Sequence, residues 1–125
     1  MLPARITLAV CLMVTILGCL TGCGNSASDH PLDADVAHTS LEKALTAWVD
    51  GKKPADLKPE IIMGDFAWDS GKKLVSFEIL TKNETSDCTN LHVKVKRKFQ
   101  KDGKESESEV LYIVGTSPVI TIFPQ

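Results

Sequence analysis

Apolar residues along this chain fall into three successive patterns. From Ile6 to Leu20 they form a nearly unbroken run. Leu41, Ala44, Leu45, Trp48 and Val49 then recur at i, i+3, i+4, i+7 and i+8, one stripe of an α-helix. From Glu60 onward the period changes to two, as in strands with one covered face. Between the first two patterns lies Gly24 to His38, GNSASDHPLDADVAH. It is small, polar and acidic, and too poor in apolar surface to order itself.

The boundaries follow from local chemistry. Thr39 and Glu42 have the spacing of a capping box, which places the helix start at Thr39. Gly51 follows the last stripe residue, where a left-handed residue ends a helix. Lys52, Lys53 and Pro54 oppose continuation, and Pro54-Ala55-Asp56-Leu57 makes at most one further turn. The strands predicted after Glu60 are Ile61–Trp68, Lys73–Thr81, Asn90–Gln100, Ser106–Val114 and Val119–Phe123. Asp69-Ser70-Gly71 and the polar segment Lys82–Asp87 read as connections, and Gly115 and Pro118 as a bend.

Asp102-Gly103 is a strong two-residue hairpin signal. It sets Val95 opposite Val110, Val93 opposite Tyr112, Lys96 opposite Glu109 and Lys98 opposite Glu107. A one-residue slip would turn Lys94 and Lys96 onto the covered face, which the cost of burying unpaired charge forbids. The result is an α+β domain: one N-terminal helix packed on a curved antiparallel sheet of four to five strands. The helix stripe is expected over Val75, Phe77, Val93, Val95, Val110 and Tyr112.

The apolar run near the start has Arg5 before it and Leu20-Thr21-Gly22-Cys23 at its end. A basic start, an apolar stretch and small residues before a cut form a secretory signal. The run is shorter than the roughly 20 residues of a spanning helix. The window ending in Cys23 resembles a bacterial lipobox. That resemblance implies cleavage before Cys23 and a diacylglycerol on its thiol, with palmitate-type acyl chains. It divides the chain into a signal peptide, 1–22, a flexible tether, 23–38, and one domain, 39–125. Gly24 is not acidic, so sorting to the outer membrane or cell surface is expected over inner-membrane retention. Cys11 and Cys19 leave with the signal. Cys23 takes the lipid, so Cys88 has no second thiol for an intramolecular bridge. Removing Arg5 leaves 13 of the 14 basic residues against 16 acids, a balance that attracts no nucleic acid.

The helix-then-sheet outline is similar to cystatin-like and NTF2-like folds. Trp48 with Asp50-Gly51-Lys52 and Pro54-Ala55-Asp56-Leu57, Trp68, Ile113-Val114-Gly115-Thr116-Ser117-Pro118, Thr121 and Phe123 resemble a family of uncharacterised small bacterial envelope lipoproteins. The resemblance implies a fold and a location, and it brings no activity.

Chemistry-bearing motifs are sparse. His30, His38 and His92 lack the spacing of a zinc site. Asp29, His30, Asp33, Asp35 and His38 form an acidic, His-containing cluster, best read as a solvated linker. Cys88 and His92, four apart on a strand, are separated by about 13 Å, too far for a thiol–base pair. The basic stripe His92, Lys94, Lys96 and Lys98 faces glutamates across the hairpin. Arg97 interrupts an apolar face. It either snorkels out beside Phe99 or guards a pocket for an anion. The expectation is a non-enzymatic lipid-anchored envelope protein without cofactor or metal. Its domain is expected to bind a protein or peptide along an exposed sheet edge at Val119–Phe123. The alternative is a small-ligand carrier with a pocket between helix and sheet, lined by Trp48, Arg97 and Tyr112.

Overall fold

The computed structural model describes residues 31–125. The signal segment, the lipidation position Cys23 and the tether up to His30 lie outside the described residues. The main helix, α1, spans Ala34–Val49. It begins five residues before the expected Thr39. The N-cap is Asp33, whose side chain accepts a hydrogen bond from the Val36 amide at 3.1 Å. Thr39 lies inside the helix and donates its hydroxyl to the Asp35 carbonyl. The last part of the expected tether is therefore helical. Ala37 extends the apolar stripe one turn back from Leu41 and is fully buried. Asp33 satisfies an amide at the new start as well as a threonine would. Two backbone-donated bonds fix this start to the sheet: Leu32 N–H to the Cys88 carbonyl, 3.1 Å, and Asp33 N–H to the Thr116 hydroxyl, 2.9 Å.

A single 3₁₀ turn, Pro54–Leu57, follows α1. The sheet is built from β1 (Ile61–Met63), β2 (Lys73–Ser86), β3 (Asn90–Lys101), β4 (Lys104–Gly115) and β5 (Ile120–Pro124), in the order β1-β5-β4-β3-β2. With α1 packed on one face, this is the expected α+β architecture. The sheet is mixed rather than purely antiparallel, because β1 pairs with β5 in parallel. The expected strand Ile61–Trp68 is split. After Met63 the chain turns into a one-turn helix, α2 (Phe66–Asp69), capped by Asp65, whose side chain accepts from the Ala67 amide. Val119–Phe123 is not an edge either: β5 lies between β1 and β4, and the long edge strand is β2.

The hairpin register is the one read from the turn. Val95 faces Val110, Val93 faces Tyr112, Lys96 faces Glu109 and Lys98 faces Glu107. Asp102 (φ 53°) and Gly103 (φ 76°) both take left-handed backbone, as a two-residue turn matching strand twist requires. In β2 the register shifts between Leu74 and Ser76, so Leu74 replaces Val75 on the buried face ahead of Phe77 and Ile79. A second shift lies between Leu80 and Thr85. Glu84, within it, reaches His38 of α1 at 2.6 Å. Strand β2 also absorbs much of the segment Lys82–Asp87 expected as a loop. The core joins Leu41, Leu45 and Trp48 of α1 to Leu74, Val93, Val95, Tyr112, Val114 and Ile122 of the sheet.

Candidate functional site

Arg97 lies between Val95 and Phe99 in β3 and pairs with Ser108 and Phe77 in the neighbouring strands. It does not snorkel. Its side chain is 11% exposed and lies 3.2 Å from Asp65, which is 2% exposed. Asp65 works with both oxygens. Oδ1 accepts from the Ala67 amide that starts α2. Oδ2 accepts from the Tyr112 hydroxyl and from Arg97 Nη1. Arg97 Nη1 also reaches the Tyr112 oxygen at 3.4 Å, and Nη2 donates to Ser108 Oγ at 3.2 Å. The guanidinium stands 5.0 Å from the Phe99 ring centre, while its Nε is buried without a hydrogen-bond partner. Burial first, then the Asp65 carboxylate, pushes the Tyr112 hydroxyl well above the usual tyrosine range, against the opposing pull of Arg97. Tyr112 therefore stays a protonated donor. Neither expected alternative, snorkelling or a pocket for an outside anion, describes Arg97: its partner is a carboxylate of its own chain.

Sequence reasoning thus placed Arg97 and Tyr112 together, and the structure adds Asp65. Its missed signal is a helix cap inside an expected strand. Trp48 sits apart, separated from Arg97 by Phe99, whose ring centre is 5.5 Å from that of Trp48. The interface that would have formed a carrier pocket is occupied by the helix stripe and the inner sheet face, with Leu41, Leu45 and Val93 fully buried.

A second constellation rests on an internal repeat that the strand-and-helix reading passed over. Ala47-Trp48-Val49-Asp50-Gly51-Lys52-Lys53 and Ala67-Trp68-Asp69-Ser70-Gly71-Lys72-Lys73 share Ala-Trp-x-x-Gly-Lys-Lys. Each copy ends a helix in the same way. Gly51 (φ 83°) and Gly71 (φ 88°) adopt the left-handed conformation. Lys52 and Lys72 donate their amides back to the Ala47 and Ala67 carbonyls, at 2.9 and 3.0 Å. The two indoles stack at 5.1 Å with 3° between their planes. The Trp48 indole N–H donates to the Lys72 carbonyl and that of Trp68 to the Lys52 carbonyl, each at 2.8 Å. Each tryptophan thus closes the other's helix end, a reciprocal clasp joining α1 to the start of β2. Beside it opens a groove of about 540 Å³, bordered by Lys52, Lys53, Lys72, Lys73, Pro54 and Ala55.

The remaining polar groups have separate partners. Lys98 Nζ lies 3.7 and 4.0 Å from Glu105 and Glu107. His92 lies 3.1 Å from Asp87. Backbone N–H groups of Thr89 and Asn90, then His92, hold the Asp87 carboxyl well below the usual range. Asp33 caps α1 and His38 pairs with Glu84, so these two members of the acidic cluster turn to different partners. Among the described residues, no helix is long and apolar enough to cross a membrane. No family model matches the chain, and neither does any curated protein or solved structure.

Proposed function

We propose that the protein is a non-enzymatic, lipid-anchored module of the bacterial envelope that takes up an extended peptide or protein segment by strand addition at β2. The observation carrying this reading is the position of β2. It has 14 residues and forms the sheet edge opposite the three-residue β1. An edge strand presents unpaired N–H and C=O groups, and an added strand pairs with them while alternate side chains supply selectivity. From Ser76 to Leu80 the pairing with β3 is regular, so the free side of that stretch is a template for about five partner residues. Anchoring is supported by the Leu20-Thr21-Gly22-Cys23 window, and outer-membrane sorting by Gly24.

Photo-crosslinking in living cells tests the binding. A crosslinker at Glu78, on the edge strand, is expected to capture a partner, while one at Glu109, in the interior strand β4, is not. Silence from position 78, or equal capture from both, overturns strand addition. The anchor is tested separately: Cys23→Ala should leave the precursor uncut and unlabelled by radioactive palmitate, and labelling of that variant refutes lipidation at Cys23.

A further inference from the structure

We infer that the groove beside the tryptophan clasp is a binding site for the phosphoryl group of an organic phosphate. This goes beyond strand addition and uses a different surface. Four lysines border the groove, Lys52, Lys53, Lys72 and Lys73, against one acid, Asp69. The chain as a whole carries a net charge of −2, so this concentration of positive charge runs against the composition. Among the described residues, none of the four ammonium groups forms an ion pair, whereas Lys43 and Lys98 do; that of Lys72 lies over the Phe99 ring, 5.3 Å from its centre, and keeps its full charge.

Lysines after a helix also offset the negative end of its dipole. That end is worth about half a charge and fades within a turn. Only α1 is long enough to have a full one, α2 being a single turn of four residues. Most of the charge of the four lysines is left over. The backbone of the groove is fixed, because the reciprocal Trp48–Trp68 clasp holds the carbonyls of Lys52 and Lys72. Pro54 and Ala55, laid over the buried faces of the two indoles, give it an apolar wall for the organic part of a ligand. Its cations are all lysine. Lysine binds phosphate as a compact point charge with three donors, and four such charges around one groove suit the several oxygens of a phosphoryl group.

The source of the phosphate is separable. Leu32 and Asp33 enter the domain at the N-terminal end of α1, and the groove lies at the other end, about 24 Å away along a 16-residue helix. The groove therefore lies at the end of the domain opposite the proposed attachment.

The protein's two tryptophans both line the groove, so their fluorescence reports occupancy. The full chain in neutral detergent is titrated with inorganic pyrophosphate, with glycerol phosphate, with citrate, and with detergent-solubilised phosphatidylglycerol against phosphatidylcholine; calorimetry checks each. Saturable binding of a soluble phosphate is expected, weakened about tenfold or more in Lys52→Gln/Lys72→Gln by loss of two charge-assisted contacts. Lys101→Gln/Lys104→Gln, at the hairpin tip, should bind as the parent does. Lys53→Gln/Lys73→Gln supplies the same comparison where the first pair lowers the melting temperature. A response to phosphatidylglycerol alone, lost in the same variants, supports the phosphate site and assigns it to a lipid headgroup. Absence of saturation with every phosphate, equal affinity for citrate, or equal weakening by the hairpin-tip pair overturns the proposal.

Discussion

Asp65 is the residue on which most local order depends. One carboxylate caps α2, accepts the Tyr112 hydroxyl and neutralises Arg97. Removing one partner of a buried pair leaves the other charge uncompensated, at a cost of about 3–5 kcal/mol. Asp65→Ala should lose stability on that scale in urea denaturation. Asp65→Ala combined with Arg97→Met should regain part of it, and a double variant no more stable than the single one shows that the guanidinium is not the stranded group. Tyr112 gives a pH signature. Unfolded, it titrates near 10.0; native, it titrates higher. Above that pH the native state keeps a proton that the unfolded state has released. Stability attributable to Tyr112 is thus complete below about pH 10 and declines as the pH rises beyond it. Tyr112→Phe, less stable at neutral pH, should show a flatter loss between about pH 9 and pH 11, followed by chemical denaturation. Of this cluster, Arg97 and Tyr112 were visible as polar groups on apolar faces. Asp65 was not, because the hydrophobic alternation around it continues through Ile61 and Met63 as a strand would.

At the level of elements, the hairpin was the most legible part. Asp102-Gly103 defines a two-residue turn, and every facing pair follows from it. The charges meet weakly: Lys98 is shared between Glu105 and Glu107 and lies at least 3.7 Å from both. Exposed cross-strand pairs contribute about 0.2–1 kcal/mol. Glu107→Lys should therefore destabilise slightly, and adding Lys98→Glu should restore part of the loss in a thermal-melt double-mutant cycle. Zero coupling would mean that Glu105 alone engages Lys98. The helix start was read five residues late because Thr39 and Asp33 are both competent caps. Burial of Ala37, which no spacing of large apolar residues announces, decides between them. The parallel β1–β5 pairing is long-range, and nothing in three residues of β1 specifies its partner.

At the scale of the whole molecule, the α+β class was readable from the order of periodicities, helical and then alternating. The identity of the edges was not, because it depends on which strand ends outermost. Nor was the clasp, although its repeat stands openly in the sequence. It joins α1 to β2 through stacked rings and two indole hydrogen bonds, so its loss should be felt globally. Trp48→Ala is expected to cost about 3–5 kcal/mol, a large share of the roughly 5–15 kcal/mol that holds a domain together. A melting temperature within a degree or two of the parent would show that the clasp does not secure the helix.

The fastening of Leu32 and Asp33 to the ends of β3 and β4 would decide how the molecule, anchored at Cys23 as proposed, answers tension. Any pull on the tether arrives first at two hydrogen bonds, to the Cys88 carbonyl and the Thr116 hydroxyl. They stand beside the opening turn of α1, ahead of every contact of the sheet interior. That turn would be the first to peel, lengthening the leash by a few residues. In a chain anchored as proposed, residues 34–38, which composition assigned to the tether, would then be a reserve of slack, folded at rest and released under strain.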